Sequence, residues 1–165
     1  MKSRISDAND PIMSIGTVAE KLGISISTIR KYESEGIIIP YRTGSGHRFF
    51  SLEDLDRIRM IQKMIRKQGL NIEGIRRLQA LLPCWDILKC NKATRINCPA
   101  FVENAKPCWM VICSKSAGKK MERCRQCIVY RFGSQSTEEI KSLIYNDSKS
   151  MDVKEKLVHN FIEKE

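Results

Sequence analysis

Residues 14–50 read SIGTVAEKLGISISTIRKYESEGIIIPYRTGSGHRFF, and the order of signals here decides the fold of the first half of the chain. Ser14 has the side chain of a helix N-cap. Ile15, Val18, Ala19 and Leu22 then recur at i, i+3, i+4 and i+7, the spacing of one buried helical stripe. Gly23 ends that helix, because glycine adopts the left-handed conformation at little steric cost. Ser25 caps a second helix running to Gly36, with Ile26 and Ile29 expected to face the core. Two short helices joined by a tight glycine turn make a helix-turn-helix. The β-branched run Ile37–Ile39 and the segment His47–Phe50 read as strands, joined by the glycine-rich RTGSG of residues 42–46. A helix-turn-helix followed by such a hairpin is a winged helix.

Working outward, Met1 to Asp10 is polar and without periodicity, so residues 1–12 are expected to be a flexible arm. After the hairpin, Ser51 caps a third helix with Asp54 as its capping-box partner, and Leu55, Ile58, Ile61 and Ile65 form its apolar face. Gly69 stops it. Asn71 opens a fourth helix carrying Ile72, Ile75, Leu78 and Leu82, which Pro83 ends. Residues 83–133 hold all seven cysteines and few helix signals, so an irregular module is expected there. Residues 134–165 turn helical again: Ser136 caps a segment with Ile140, Leu143 and Ile144, and a second carries Val153, Leu157, Val158, Phe161 and Ile162. The expected class is mainly α, with one small β-hairpin.

The chain has 165 residues and 42% hydrophobic content, enough for one packed domain or two small ones. No apolar run approaches the ~20 residues of a membrane helix, and no signal peptide opens the sequence, which places the protein in the cytoplasm as an expectation. Seven cysteines in such a compartment favour metal ligation or redox chemistry over structural disulfides. The net charge of +10 is unevenly spread: +5 over residues 1–82, +7 over residues 83–133 and −2 over the tail. Two basic blocks point to a polyanionic partner, nucleic acid foremost, although surface charge for solubility gives the same count.

In a helix-turn-helix the second helix enters the major groove and its first residues meet base edges. With Ile26 and Ile29 inward, Ser27, Thr28, Arg30 and Lys31 point outward, and Tyr32 offers a hydroxyl to a phosphate. In the hairpin, Arg42, His47 and Arg48 flank a tip whose Gly46 lets a nucleic-acid backbone come close. The plain alternative is an amphipathic helix beside an ordinary surface turn.

The ordered series over residues 13–82 resembles the DNA-binding domain of the MerR family of bacterial transcription regulators. Arg30-Lys31-Tyr32-Glu33 is similar to the Arg-Tyr-Tyr-Glu-like stretch that closes the family's recognition helix, with one substitution. Arg42 and Arg48 match the wing arginines, and His47 stands where the family usually has an aromatic residue. The resemblance implies a homodimer at the nucleoid, bound to palindromic double-stranded promoter DNA. It further implies bending and untwisting of the spacer, so that RNA polymerase is served indirectly through DNA shape. The family's long antiparallel dimer helix is missing from its usual place, where Pro83 and the cysteine block stand instead.

The cysteine segment carries Pro83-Cys84-Trp85 and Pro107-Cys108-Trp109, 24 residues apart, as a crude internal duplication. It is similar to a small "two Cys-Trp" module found attached to assorted bacterial signalling proteins. A ligand set drawn from Cys84, Cys90, Cys98, Cys108, Cys113, Cys124 and Cys127 contains no histidine, so an all-sulfur site suits zinc or an iron–sulfur cluster. Cys124-x-x-Cys127 has the spacing of one tetrahedral centre. Buried reduced thiols, or a metal-free thiol switch, account for the same residues. The leading expectation is a DNA-binding regulator with a metal- or redox-responsive module. The alternative is a DNA-binding adaptor or architectural protein whose cysteines hold a structural zinc. An enzyme is not expected: no βαβ pattern surrounds Cys124-x-x-Cys127, no catalytic triad or phosphate loop stands out, and His159 reads as a surface residue.

Overall fold

The structure, a computed structural model, describes residues 7–102, 105–112 and 119–133. The chain separates into two compact units, Met1–Ile72 and Glu73–Glu165, and the division falls inside residues 13–82. The expected tail helices and Cys113 lie outside the described residues. No described helix is long and apolar enough to cross a membrane.

The first unit runs β1 (Met13–Ser14), α1 (Ile15–Leu22), α2 (Ile26–Ser34), β2 (Tyr41–Arg42), β3 (Arg48–Phe50) and α3 (Leu52–Gln68). The caps are those the residue types dictate. Ser14 Oγ accepts from Thr17 N at 3.2 Å, and Ser25 Oγ from Thr28 N at 3.1 Å. Gly23 and Gly69 close α1 and α3 in the left-handed region, at φ +61° and +68°. Ser51 and Asp54 form a fully reciprocal capping box inside the core. Ser51 N donates to Asp54 Oδ2 at 2.9 Å and Asp54 N to Ser51 Oγ at 3.1 Å, which satisfies two orphan amides of the α3 terminus.

Three local readings are corrected. Ile26, expected in the core, is exposed, whereas Ile29 is buried. The stripe of α2 is set by Ile29 and Tyr32, and at about 100° per residue Ile26 falls roughly 90° from its centre. Ile37–Ile39 is not a strand. All three side chains are buried, and a strand that alternates faces on a sheet edge does not bury consecutive residues. Pro40, with no N–H, separates this run from β2, and the hairpin starts at Tyr41. In α3 the buried positions are Leu55, Ile58, Ile61 and Met64, with Ile65 only half-buried.

The sheet has order β1-β3-β2, all antiparallel, with Tyr41 opposite Phe49, Arg42 opposite Arg48, and Met13 opposite Phe50. At the hairpin tip Gly46 N donates to Thr43 O at 2.9 Å, and Gly46 sits at φ +84°. That φ is costly for residues other than glycine. Residues 7–12, part of the expected arm, are tied to the body. Ile12 N donates to Phe50 O at 3.1 Å, Glu53 N donates to Ala8 O at 3.2 Å, and Asn9 is buried.

The second unit is helical throughout its described length, where an irregular module was expected. It comprises α4 (Ile72–Ala80, whose first residue belongs to the other unit), α5 (Cys84–Ile87), α6 (Lys92–Ile96), α7 (Pro99–Val102), α8 (Cys108–Ile112), α9 (Lys119–Gln126) and α10 (Ile128–Gly133). From α5 onward the helices span four to eight residues, too short for a periodic stripe to show in sequence. Its core gathers Leu82, Ile87, Ala100, Trp109, Val129 and Tyr130. Gly133 is needed here for space: a Cβ would lie 2.5 Å from Leu82 Cδ1 and 3.8 Å from Trp109 Cη2.

Candidate nucleic-acid interface and cysteine cluster

The outer face of α2 and the β2–β3 hairpin enclose an open groove of about 590 Å³. Arg30, Lys31, Ser27 and Ser34 line it from α2, and Arg42 and Arg48 from the hairpin. Glu33 is the residue that joins the two sides. Its Oε1 accepts from Arg42 Nη2 and its Oε2 from Arg48 Nε, both at 2.6 Å. The carboxylate is only 14% exposed, against 50% for Arg42 and 27% for Arg48. Each arginine keeps guanidinium N–H groups for another acceptor, held in a fixed orientation by its first bond. Four cations against one carboxylate leave the groove with a net charge of +3.

The expected DNA-facing residues divide into three groups. Arg30, Lys31, Gly46 and His47 are exposed, as is Ser27. The Ser27 and Thr28 hydroxyls are engaged within the chain, bonded to Ser25 Oγ at 2.7 and 2.8 Å. Tyr32 stands apart: as a whole residue it is 6% exposed, and its ring belongs to the core. Burial pushes its pKa above 10.0, with the nearby Arg66 charge opposing, and the ring remains a neutral phenol. Sequence reading placed both wing arginines but not the residue that fixes them. An acidic residue at the end of a basic helix signals nothing until the hairpin folds back onto it.

In the second unit the duplication has a spatial meaning. Cys84 opens α5 and Cys108 opens α8, each between a proline and a tryptophan, and their thiols are hydrogen-bonded to each other. That bond lowers Cys84 to about 7, against the opposing effect of burial, and a weaker contribution comes from the Trp85 backbone. The same bond, with burial, pushes Cys108 well above the usual thiol range, and Cys98 and Cys127 lie near enough for their charges to act on it. Cys90 is free.

Of the seven candidate ligands, Cys84, Cys98 and Cys127 are free and lie near enough to Cys108, also free, to act on its thiol, and Cys113 lies outside the described residues. Cys124 is disulfide-bonded, so Cys124 and Cys127 do not act as a paired knuckle. Among the described residues no three His, Cys, Asp or Glu side chains gather closely enough to hold an ion. An all-sulfur zinc or iron–sulfur site takes four thiolates. The segment's positive charge is also partly turned inward. Arg125 is buried, and Arg95 lies over the Trp85 and Phe101 rings at 6.0 and 5.8 Å.

The model of the MerR HTH family regulatory protein matches residues 13–82. These residues form a MerR-family helix-turn-helix domain. The HTH-type transcriptional regulator HmrR of Rhizobium leguminosarum bv. viciae is 39% identical over 69 residues, 42% of this chain and 53% of that protein. The putative heat shock protein HspR of Streptomyces coelicolor is 31% identical over 68 residues, 41% of this chain and 45% of its own. The mercuric resistance operon regulatory protein of Bacillus cereus is 38% identical over 65 residues, 39% of this chain and 48% of its own. The chain thus spans about half the length of the curated relatives it matches. No solved structure matches it. The MerR-type domain therefore accounts for the groove, and the cysteine segment lies beyond it.

Proposed function

We propose that the chain is a MerR-type transcription regulator, not an enzyme, that binds double-stranded promoter DNA as a homodimer and acts on RNA polymerase through the shape of that DNA. The observation that carries this reading is the groove in which Glu33 orients the wing arginines Arg42 and Arg48 beside Arg30 and Lys31 of α2, four cations that can meet a sugar-phosphate backbone. Phosphate contacts of this kind set register, and the exposed first turn of α2 is left to read bases.

The cysteine segment, residues 83–133, is on this reading an effector module whose Cys84–Cys108 pair responds to oxidants. Its support is the contact between Cys84 and Cys108. The chemistry balances with a hydroperoxide as oxidant. The Cys84 thiolate attacks the O–O bond, giving a sulfenic acid and hydroxide. The Cys108 sulfur then attacks that sulfenic sulfur, and its thiol proton leaves with the sulfenic oxygen as water, leaving one disulfide. The test compares the fully reduced chain with the same chain after stoichiometric hydrogen peroxide, titrated against a duplex selected in vitro. Reduced protein binds with an affinity that falls steeply with salt. Peroxide changes that affinity by about fivefold or more, the lower range of allosteric coupling, and Cys84→Ser removes the response. Equal affinity of the reduced and oxidised wild type removes the effector role and leaves the DNA-binding role standing.

Glu33 supplies a separate prediction. Glu33→Gln removes one negative charge from the groove and frees Arg42 and Arg48 from their anchor. Affinity for random duplex rises, because an unpaired arginine neutralises phosphate anywhere. The ratio of selected-site to random-site affinity narrows by about tenfold, the worth of one charge-assisted hydrogen bond. Competition binding at two salt concentrations reads both effects, and an unchanged ratio contradicts the anchoring role.

A further inference from the structure

Ile26 is an isoleucine at the first position of α2, and it is 39% exposed although the neighbouring core has room for Ile29 and Tyr32. Its surroundings narrow what it can do. The Ser27 and Thr28 hydroxyls beside it are both bonded to Ser25 Oγ, so the polar groups of this turn are occupied. Arg30, one helical turn further along, is exposed and lies on the same face, since residues four apart are neighbours on a helix surface. The N-terminal half of α2 therefore presents one exposed guanidinium and, next to it on the same face, one exposed apolar side chain.

The major groove contains a partner for each. Guanine offers two acceptors to an arginine, and thymine is the one standard base with a methyl group in that groove. We infer that Ile26 and Arg30 read two adjacent base pairs as a unit, with Ile26 packed on a thymine 5-methyl and Arg30 bonded to a neighbouring guanine. This rests on the major-groove placement of α2 proposed above. Ile26 is then a specificity-determining residue, and its exposure in the free chain is the unbound form of a base contact.

The experiment uses the full chain and a duplex site obtained by in vitro selection. Each thymine in the site is replaced in turn by uracil, which removes only the 5-methyl group. At one thymine in each half-site, adjacent to a guanine, the replacement weakens wild-type binding by about fourfold, as expected for one buried methyl. Ile26→Ala binds thymine and uracil sites equally, and Ile26→Val retains part of the preference. Because Ile26 is exposed at a helix start, Ile26→Ala keeps the fold, which its circular dichroism and melting temperature confirm. A site at which wild type shows no methyl sensitivity, or at which Ile26→Ala keeps it, overturns the assignment while leaving DNA binding intact. A selection that enriches no sequence overturns the DNA-reading function and this inference together.

Discussion

Ile29→Ala is expected to destabilise the first unit by about 2–5 kcal/mol, the range for truncating a fully buried aliphatic side chain to alanine. Ile29 has no exposed surface, and α2, which carries it, packs on α1. Truncation leaves a cavity that the capped, glycine-bounded turn between the two helices cannot close by a small shift. Helix α2 has nine residues, well below the length at which a helix persists alone, so its folding depends on this packing. A loss of that size is a large part of the ~5–15 kcal/mol that holds an average domain together. Because Arg30, Lys31 and Glu33 are carried by the same helix, DNA binding falls with the folded population rather than through any lost contact. Urea unfolding measures it, with the midpoint shifting and the slope unchanged. Ile26→Ala is the internal control: the same chemical change three residues earlier, at an exposed position, stays within about 0.5 kcal/mol. A shift below about 1 kcal/mol for Ile29→Ala contradicts the packing described.

That pair of isoleucines also marks how far sequence reading extends. Signals that are local chemistry were legible. Ser14, Ser25, Ser51 with Asp54, Gly23 and Gly69 each act on backbone groups a few residues away, and each sits in the role assigned to it. The stripe of α3 was legible to within one position, Met64 replacing Ile65, because 17 residues hold several turns of periodicity. Ile26 was misplaced because two apolar residues three apart leave the direction of a stripe open by a full 60° on either side, and it was Tyr32 that turned it. Ile37–Ile39 was misread for a related reason. A β-branched run reports burial and stiffness, and only long-range packing decides whether it pairs as a strand or crosses the core.

The functional features that were missed are all contacts between distant segments. Glu33 meets Arg48 across fifteen residues of sequence, and Cys84 meets Cys108 across twenty-four. The duplication of Pro-Cys-Trp was visible in the letters, but duplication says nothing of whether the copies touch. Charge misleads in the same way. The +7 of residues 83–133 counts Arg95 and Arg125 as if both were solvated, whereas one lies over aromatic rings and the other is buried. The basic count of the first unit is different in kind, because its groove arginines and lysine face solvent or a carboxylate that orients them.

Trp109→Ala is expected to cost about 3–5 kcal/mol in the second unit, and Trp85→Ala clearly less, although the two tryptophans stand at matching places in the duplicated motif. Trp109 is 3% exposed and meets Tyr130 edge-on, with ring centroids 5.4 Å apart. Its six-membered ring lies against Gly133, a position already too tight for a Cβ beside Leu82. Its removal therefore empties a site bounded by α10 and the end of the α4 segment, and helices of this length cannot lengthen or slide to refill it. Trp85 also meets an aromatic edge, Phe101 at 5.1 Å, but it is only half-buried and its other neighbour is the Arg95 guanidinium. Solvent already reaches that ring, so less apolar surface is uncovered when it is lost, and a cation–π contact at such a site contributes about 0.5–1 kcal/mol. Each variant retains one tryptophan of the two in the chain, so the survivor's fluorescence reports the unfolding of the same unit in urea. The expected order is wild type, then Trp85→Ala, then Trp109→Ala, with the last already partly unfolded before denaturant is added if the unit is marginal. Equal costs for the two substitutions would mean that the copies are packed alike, contrary to the asymmetry seen around Gly133.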